Sequence, residues 1–181
     1  QHAVTRNRLL TAAALGYTQE GLPLDYGIAQ HTFAKTDSAL PQPYIVALHG
    51  TSRPAKEWAE SHWQMLIQNM AERGIHTLLP WGNAREQARA NRLAQHTYAH
   101  CLPRCRLSEL AAILQGAKGV IGMDTGLMHI AAALDQRGVA LYPVTAAQLT
   151  GIVGNSTAPH PMITLAGEEV NDAAIVIQRF A

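Results

Sequence analysis

The sequence predicts an α/β domain, a Rossmann-like parallel sheet flanked by helices. Three observations carry that expectation. Short apolar runs alternate with Ala-rich helical stretches, in units of roughly 20–30 residues, which is the spacing parallel crossovers need. The runs are short and largely apolar, as strands buried on both faces require. Hydrophobic residues make up 48% of the 181 positions, enough for a real core.

The elements follow in order. His2 to Leu15 reads as a helix closed by Gly16, and residues 17–43, with Pro23, Pro41 and Pro43, read as an extended connector. Tyr44 to Leu48 is a buried strand, followed by the loop His49-Gly50-Thr51-Ser52. A helix from about Ala59 to Arg73 carries Trp63, Leu66, Ile67 and Met70 at helical spacing, and Gly74 ends it. Strand His76–Leu79 leads through Pro80-Trp81-Gly82 to a helix from Asn83 to about Gln95. A short strand surrounds Cys101, and a helix runs from about Ser108 to Gln115. Strand Gly119–Gly122 enters Met123-Asp124-Thr125-Gly126, and helix Leu127–Leu134 follows. Strand Val139–Tyr142 precedes a long loop, and a last helix covers about Asn171 to Phe180.

Composition excludes several classes. Lys plus Arg number 14 and Asp plus Glu 13, so a net charge of +1 gives no support to a nucleic-acid or membrane-surface partner. Charged residues are 15% of the chain, below the roughly 25% of ordinary domains, which suggests that one face is covered by something else. Two cysteines rule out a disulfide scaffold and suit a reducing cytoplasm. No apolar run approaches the ~20 residues of a membrane span. The chain shows no signal peptide and opens on Gln1, as expected of a piece of a longer protein.

Ligands of open α/β sheets sit beyond the carboxyl ends of the strands, and three loops there carry suitable residues. In Gly122 to His129 a strand ends and a helix begins near Gly126. Free N–H groups of the helix start, the Thr125 hydroxyl and a glycine that allows close approach would make an anion site. His129 lies one turn further on the same side as Thr125. Alternatively, Asp124 or Thr125 caps the helix and His129 packs. In the second loop, Thr51 and Ser52 hydroxyls and the Lys56 cation suit a diphosphate. The glycine spacing of a P-loop is absent, and an ordinary Ser/Thr turn with a solvated lysine remains open. In the third, Glu86 could hold ribose hydroxyls, but Asn83 and Glu86 also have capping-box spacing, and spacing alone favours the cap.

Other residues read as structure. His96, His100, Cys101 and Cys105 lack zinc spacing, so no metal is expected. Trp58, Trp63 and the methionines read as core, and Arg85, Arg89 and Arg92 as one solvated helix side.

Taken together, Leu48 to Trp58 (Leu-His-Gly-Thr-Ser-Arg-Pro-Ala-Lys-Glu-Trp), Leu79-Pro80-Trp81-Gly82 and Asp124 to Leu134 resemble the carboxyl-terminal half of the ADP-heptose:lipopolysaccharide heptosyltransferases. The His-Gly-Thr-Ser-Arg and Lys-Glu-Trp pieces are more similar to heptosyltransferase I than to heptosyltransferase II. Gln1 to Val4 and Leu15-Gly16-Tyr17 resemble the helix leading into that half, so the likeness spans nearly the whole chain. It implies the second domain of a GT-B glycosyltransferase. Residues 1–181 would be the nucleotide-sugar domain, with a leading helix over 1–16 and a connector over 17–43, and the amino-terminal acceptor domain would lie outside this chain.

The resemblance implies site roles residue by residue. Thr51, Ser52 and Lys56 would meet the phosphates, and Lys56 would reach toward the sugar. Glu86 would bind the ribose, Thr125 and Gly126 the β-phosphate, and Asp124 the heptose hydroxyls. His129 would sit beside the same sugar and phosphate, and the main chain of Cys105 would touch adenine. After Tyr142 the family has a Gly-Pro-Thr-Asp-Pro-like turn, whereas here the chain reads Pro143-Val144-Thr145-Ala146-Ala147. The implied reaction moves L-glycero-D-manno-heptose from ADP-heptose to the Kdo of a lipid A precursor with inversion. A base on the other domain would assist, and no cofactor or metal is implied. The enzyme would be cytoplasmic, peripheral at the inner face of the inner membrane, and this chain alone would bind donor without transferring it. A stand-alone nucleotide-binding module and a transferase for another nucleotide sugar remain as alternatives.

Overall fold

The computed structural model describes residues 1–33, 39–51, 56–143, 147–160 and 162–180, with backbone only at 147 and 148. Helix α1 (Ala3–Leu15) starts at His2, whose side chain caps the Val4 N–H, and ends at Gly16. Gly16 takes φ 71°, a left-handed turn that a residue without a Cβ adopts cheaply. The connector then packs back on the distant 153–156 segment: Tyr26 N donates to Asn155 Oδ1 at 2.8 Å and Ser156 N to Leu24 O at 2.8 Å.

Strand β1 (Tyr44–Leu48) is buried at all five positions, as its unbroken apolar run requires. Helix α2 (Glu60–Glu72), strand β2 (His76–Leu79), helix α3 (Ala84–Leu93), strand β3 (Ala99–Cys101) and helix α4 (Leu107–Gln115) follow. Strand β4 (Val120–Met123), helix α5 (Gly126–Ala133) and strand β5 (Gly138–Tyr142) complete the part read from sequence. Beyond β5 the structure adds helical turn α6 (Ala147–Thr150), strand β6 (Ile163–Ala166) and turn α7 (Glu168–Asn171) before helix α8 (Ala173–Phe180). The expected helix over about 171–180 is α8, which starts at Ala173 because Asp172, with extended backbone, separates it from α7. The strand at 163–166 escapes a hydropathy reading because only Leu165 of its four residues is buried, as befits a sheet edge.

All strand pairings are parallel, and the order is β3-β2-β1-β4-β5-β6. Chain direction across the sheet reverses between β1 and β4, so a crevice opens beyond their carboxyl ends. Two cores cover the two faces. Trp58, Trp63, Leu66, Ile67 and Met70 join residues of α7 and α8 on one, while Met128, Ala131, Ala132 and Leu114 from α5 and α4 cover the other. The tryptophans are core as expected, but Met65 is exposed. No described helix is long and apolar enough to cross a membrane.

Candidate functional site

The switch point holds a cleft of about 640 Å³ walled by three loops. Leu48 ends β1, and Gly50 and Thr51 follow it; Trp81, Gly82 and Glu86 follow β2; Asp124 to Leu127 follow β4. An apolar wall of Leu107, Leu110, Leu127 and Ile130 from α4 and α5 faces them. A larger groove of about 1150 Å³ lies between α2, α3 and α8, away from every strand-end loop of the crevice.

Thr125 stands at the N-cap of α5 with φ −138° and ψ 160° but makes no cap hydrogen bond; its Oγ1 is buried without a partner among the described residues. The capping alternative for Thr125 is thereby excluded. Thr51 Oγ1, across the cleft, is also buried and has no partner among the described residues. A lone buried hydroxyl costs about 1–3 kcal/mol, so two of them on one cleft mark places where something else supplies the bond. The first N–H groups of α5, with exposed Gly126 leading, have no intrahelical acceptor and add a partial positive charge.

Lys56 Nζ pairs with Asp124 Oδ2 at 3.2 Å, joining the first loop to the third. Each side chain is about one-fifth exposed, so the pair is reachable from the cleft. Ser52 lies outside the described residues. Asn83 Oδ1 caps the Glu86 N–H at 3.0 Å, but Glu86 Oε2 accepts from Gly82 N at 2.7 Å rather than from Asn83 N. The capping box is thus half formed, and the Glu86 carboxylate turns into the cleft. Gly50 makes that possible, because a Cβ there would stand 2.7 Å from Glu86 Cδ.

Three expected residues are not on the cleft wall: His129, Cys105 and Lys56, the last of which meets it only through its pair with Asp124. His129 sits one turn into α5, and burial holds its pKa below the ordinary imidazole value while Asp124 opposes that shift. Cys105 donates its thiol to Pro103 O at 3.3 Å, two residues before Leu107 of the wall. The other cysteine and histidines of that stretch take separate partners: His100 meets His76 at 2.9 Å, and His96 meets Gln68 at 2.9 Å. Among the described residues no three His, Cys, Asp or Glu side chains could share a metal.

Arg89 corrects the sequence reading, whereas Arg85 and Arg92 are exposed as expected. Arg89 is 5% exposed, not solvated, and binds Glu57 Oε2 at 2.7 Å. Arg85 and Arg92 reach Glu57 and Glu60. Helical spacing alone places these three on one side. It gives no hint that a loop 30 residues earlier would cover that side with acids. His49, just beyond β1, is fully buried, and its place in a Gly/Ser loop gives no sign of that. Burial first, then the neighbouring Arg89, pushes its pKa down to about 4.

A six-stranded parallel sheet of this order, with a crevice at its switch point, defines a Rossmann-like α/β domain. The family model described as glycosyltransferase family 9 (heptosyltransferase) matches residues 1–168, and the chain belongs to that family. It is 45% identical to lipopolysaccharide heptosyltransferase 1 of Salmonella typhimurium over 157 residues, covering 86% of this chain and 49% of that protein. The corresponding protein of Pseudomonas aeruginosa is 43% identical, with 86% and 44% covered. The Escherichia coli heptosyltransferase WaaC with ADP superposes with a TM-score of 0.82 at 40% identity, over 98% of this chain and 55% of that one. The chain therefore spans about half the length of the relatives it matches.

Proposed function

We propose that the cleft binds ADP-heptose and that, in the whole protein, it serves transfer of L-glycero-D-manno-heptose to the Kdo of a lipid A precursor. The observation that carries this reading is that Thr51 and Thr125 line one crevice, beside Asp124 with its Lys56 partner and the start of α5, with buried hydroxyls that have no partner among the described residues. The relative solved with ADP supports the nucleotide.

Each group has work to do in that reaction. The acceptor oxygen attacks the anomeric carbon, the bond from that carbon to the β-phosphate oxygen breaks, and the acceptor proton passes to a base on the acceptor-binding half. Charge grows on the departing ADP. Lys56, the Thr51 and Thr125 hydroxyls and the N–H groups of α5 would stabilise that charge, being already oriented before reaction. Ser52 belongs to the same loop. When Lys56 turns to the diphosphate, Asp124 is released to accept from heptose hydroxyls, with His129 beside it. Glu86 would take the ribose hydroxyls, the apolar α4–α5 wall one face of adenine, and the Cys105 main chain its edge. A lipid-anchored acceptor would bring the protein to the inner face of the inner membrane.

The intact protein, given ADP-heptose and a Kdo-terminated lipid A acceptor, should release ADP and yield a heptosylated lipid. Turnover of UDP-sugars with none of ADP-heptose would overturn the donor assignment.

A further inference from the structure

The arginines of α3 have no part in the chemistry above, yet they hold the loop that performs it. Arg85 and Arg89 are one turn apart and face the 49–58 segment. Arg85 Nη2 donates to Thr51 O at 3.0 Å, and its Nη1 pairs with Glu57 Oε1 at 2.9 Å. Arg89 Nη1 pairs with Glu57 Oε2 at 2.7 Å and donates to His49 O at 3.2 Å, while its Nη2 donates to the Trp58 carbonyl. Both flanks of the loop, His49–Thr51 and Glu57–Trp58, are thus tied to one helix, and each oxygen of Glu57 has its own guanidinium.

Stability alone is a poor reason for this arrangement. A buried ion pair commonly does no better than apolar packing of the same volume, because desolvation offsets the attraction. Burial indeed pulls the Arg89 pKa down, and the nearby Glu57 and Glu60 oppose it. What the network does achieve is placement. Glu57 is the chain neighbour of Lys56, and α3 also carries Glu86 on the cleft wall. Unpaired, the Glu57 carboxylate would repel a diphosphate nearby; paired twice, its charge is cancelled.

We propose that Arg89 and Arg85, acting through Glu57, are positioning residues that fix Lys56 for the diphosphate of the donor. The proposal rests on the donor-site reading above. A lysine has a long, mobile stem, and fixing its main chain beforehand removes part of the ordering cost of binding. The same helix would then set the lysine on one phosphate edge and Glu86 on the ribose, so one rigid element would fix the spacing of both contacts.

The test is a double-mutant cycle on ADP affinity in the intact protein, measured by calorimetric titration of wild type, Lys56→Ala, Glu57→Gln and the double variant. Glu57 is partly exposed, with 22% of its side chain accessible, so Glu57→Gln is compatible with folding, and a thermal melt reports any stability change separately. Lys56→Ala should weaken ADP by about 10–100-fold and Glu57→Gln by about fivefold, with the double variant no weaker than Lys56→Ala within about twofold. Arg89→Lys, which keeps the charge but loses the fork, should fall between wild type and Glu57→Gln. Multiplied losses in the double variant, or an unchanged affinity in Glu57→Gln, would overturn the positioning role while leaving the donor site standing. An unchanged affinity in Lys56→Ala would overturn the donor-site assignment of that lysine, and the positioning role with it.

Discussion

Two loops flank the switch point, and they prepare for an anion in different ways. The loop after β4 is short: Met123 ends the strand and Gly126 begins the helix. Its capacity lies in the backbone of α5 and one hydroxyl, and its remote tie among the described residues is the single Asp124–Lys56 pair. The loop after β1 is long, running from His49 to the helix at Glu60, and its described ends are held by side chains of α3. The first kind of site tolerates most substitutions except at its one hydroxyl. The second depends on residues that never touch the ligand and on charges that respond to pH and salt. One crevice therefore has a robust rim and a tunable one.

The largest expected effect is on the tunable rim. His49, at its root, has a folded pKa of about 4 against an ordinary 6.5. The depressed value means the unfolded chain binds the extra proton more readily. Stability is then complete above pH 6.5 and is lost as pH falls from 6.5 toward 4, by up to about 3 kcal/mol. Thermal melts between pH 7.5 and 4.5 should show this slope, and His49→Gln should remove its greater part. His100 and His129, also held low by burial, keep the remainder. An unchanged slope in His49→Gln would remove His49 from the comparison.

Lys56→Ala comes next. Its loss should cost about 1.5–3 kcal/mol of ADP binding, the scale of a charge-assisted hydrogen bond, and little stability, since a single partly exposed ion pair adds little. Calorimetry and a thermal melt on the same sample separate the two. Gly50→Ala sharpens the contrast further. The added methyl meets the far end of Glu86, which can swing aside, so the fold should lose less than about 1 kcal/mol. Glu86 would leave the cleft, however, and ADP affinity should drop about tenfold or more, by the loss of a charged hydrogen bond. Unaltered affinity would mean that Glu86 does not face the ribose.

The robust rim was the legible one. Strand, glycine and Asp-Thr-Gly-Leu-Met-His read directly as strand end and helix start, because backbone sites follow local chain geometry. Apolar runs fixed β1 and β2 to the residue for the same reason. The tunable rim was legible only in part. Thr51 and Lys56 stand out by residue type, but their support comes from α3 across a long sequence separation. Arg89 reads as a surface residue until the fold covers it, and nothing in an Ala-Arg-Ala context signals burial. Strand β6 was hidden too, since an edge strand with one buried side chain carries almost no hydropathy signal.

The central claim is that the unpartnered hydroxyls of Thr51 and Thr125 are reserved for the donor phosphates, and valine substitution tests it directly. Thr77 is an internal control: its Oγ1 is also buried and unpartnered, but it lies in β2, away from the cleft wall. Replacing a buried unsatisfied hydroxyl by a methyl of the same shape should hold or raise stability at all three positions. Calorimetric titration with ADP should then find Thr51→Val and Thr125→Val each weakened by about 1 kcal/mol or more, the value of a phosphate hydrogen bond, and Thr77→Val unchanged. Undiminished ADP affinity in both cleft variants, with the protein folded, would contradict the claim.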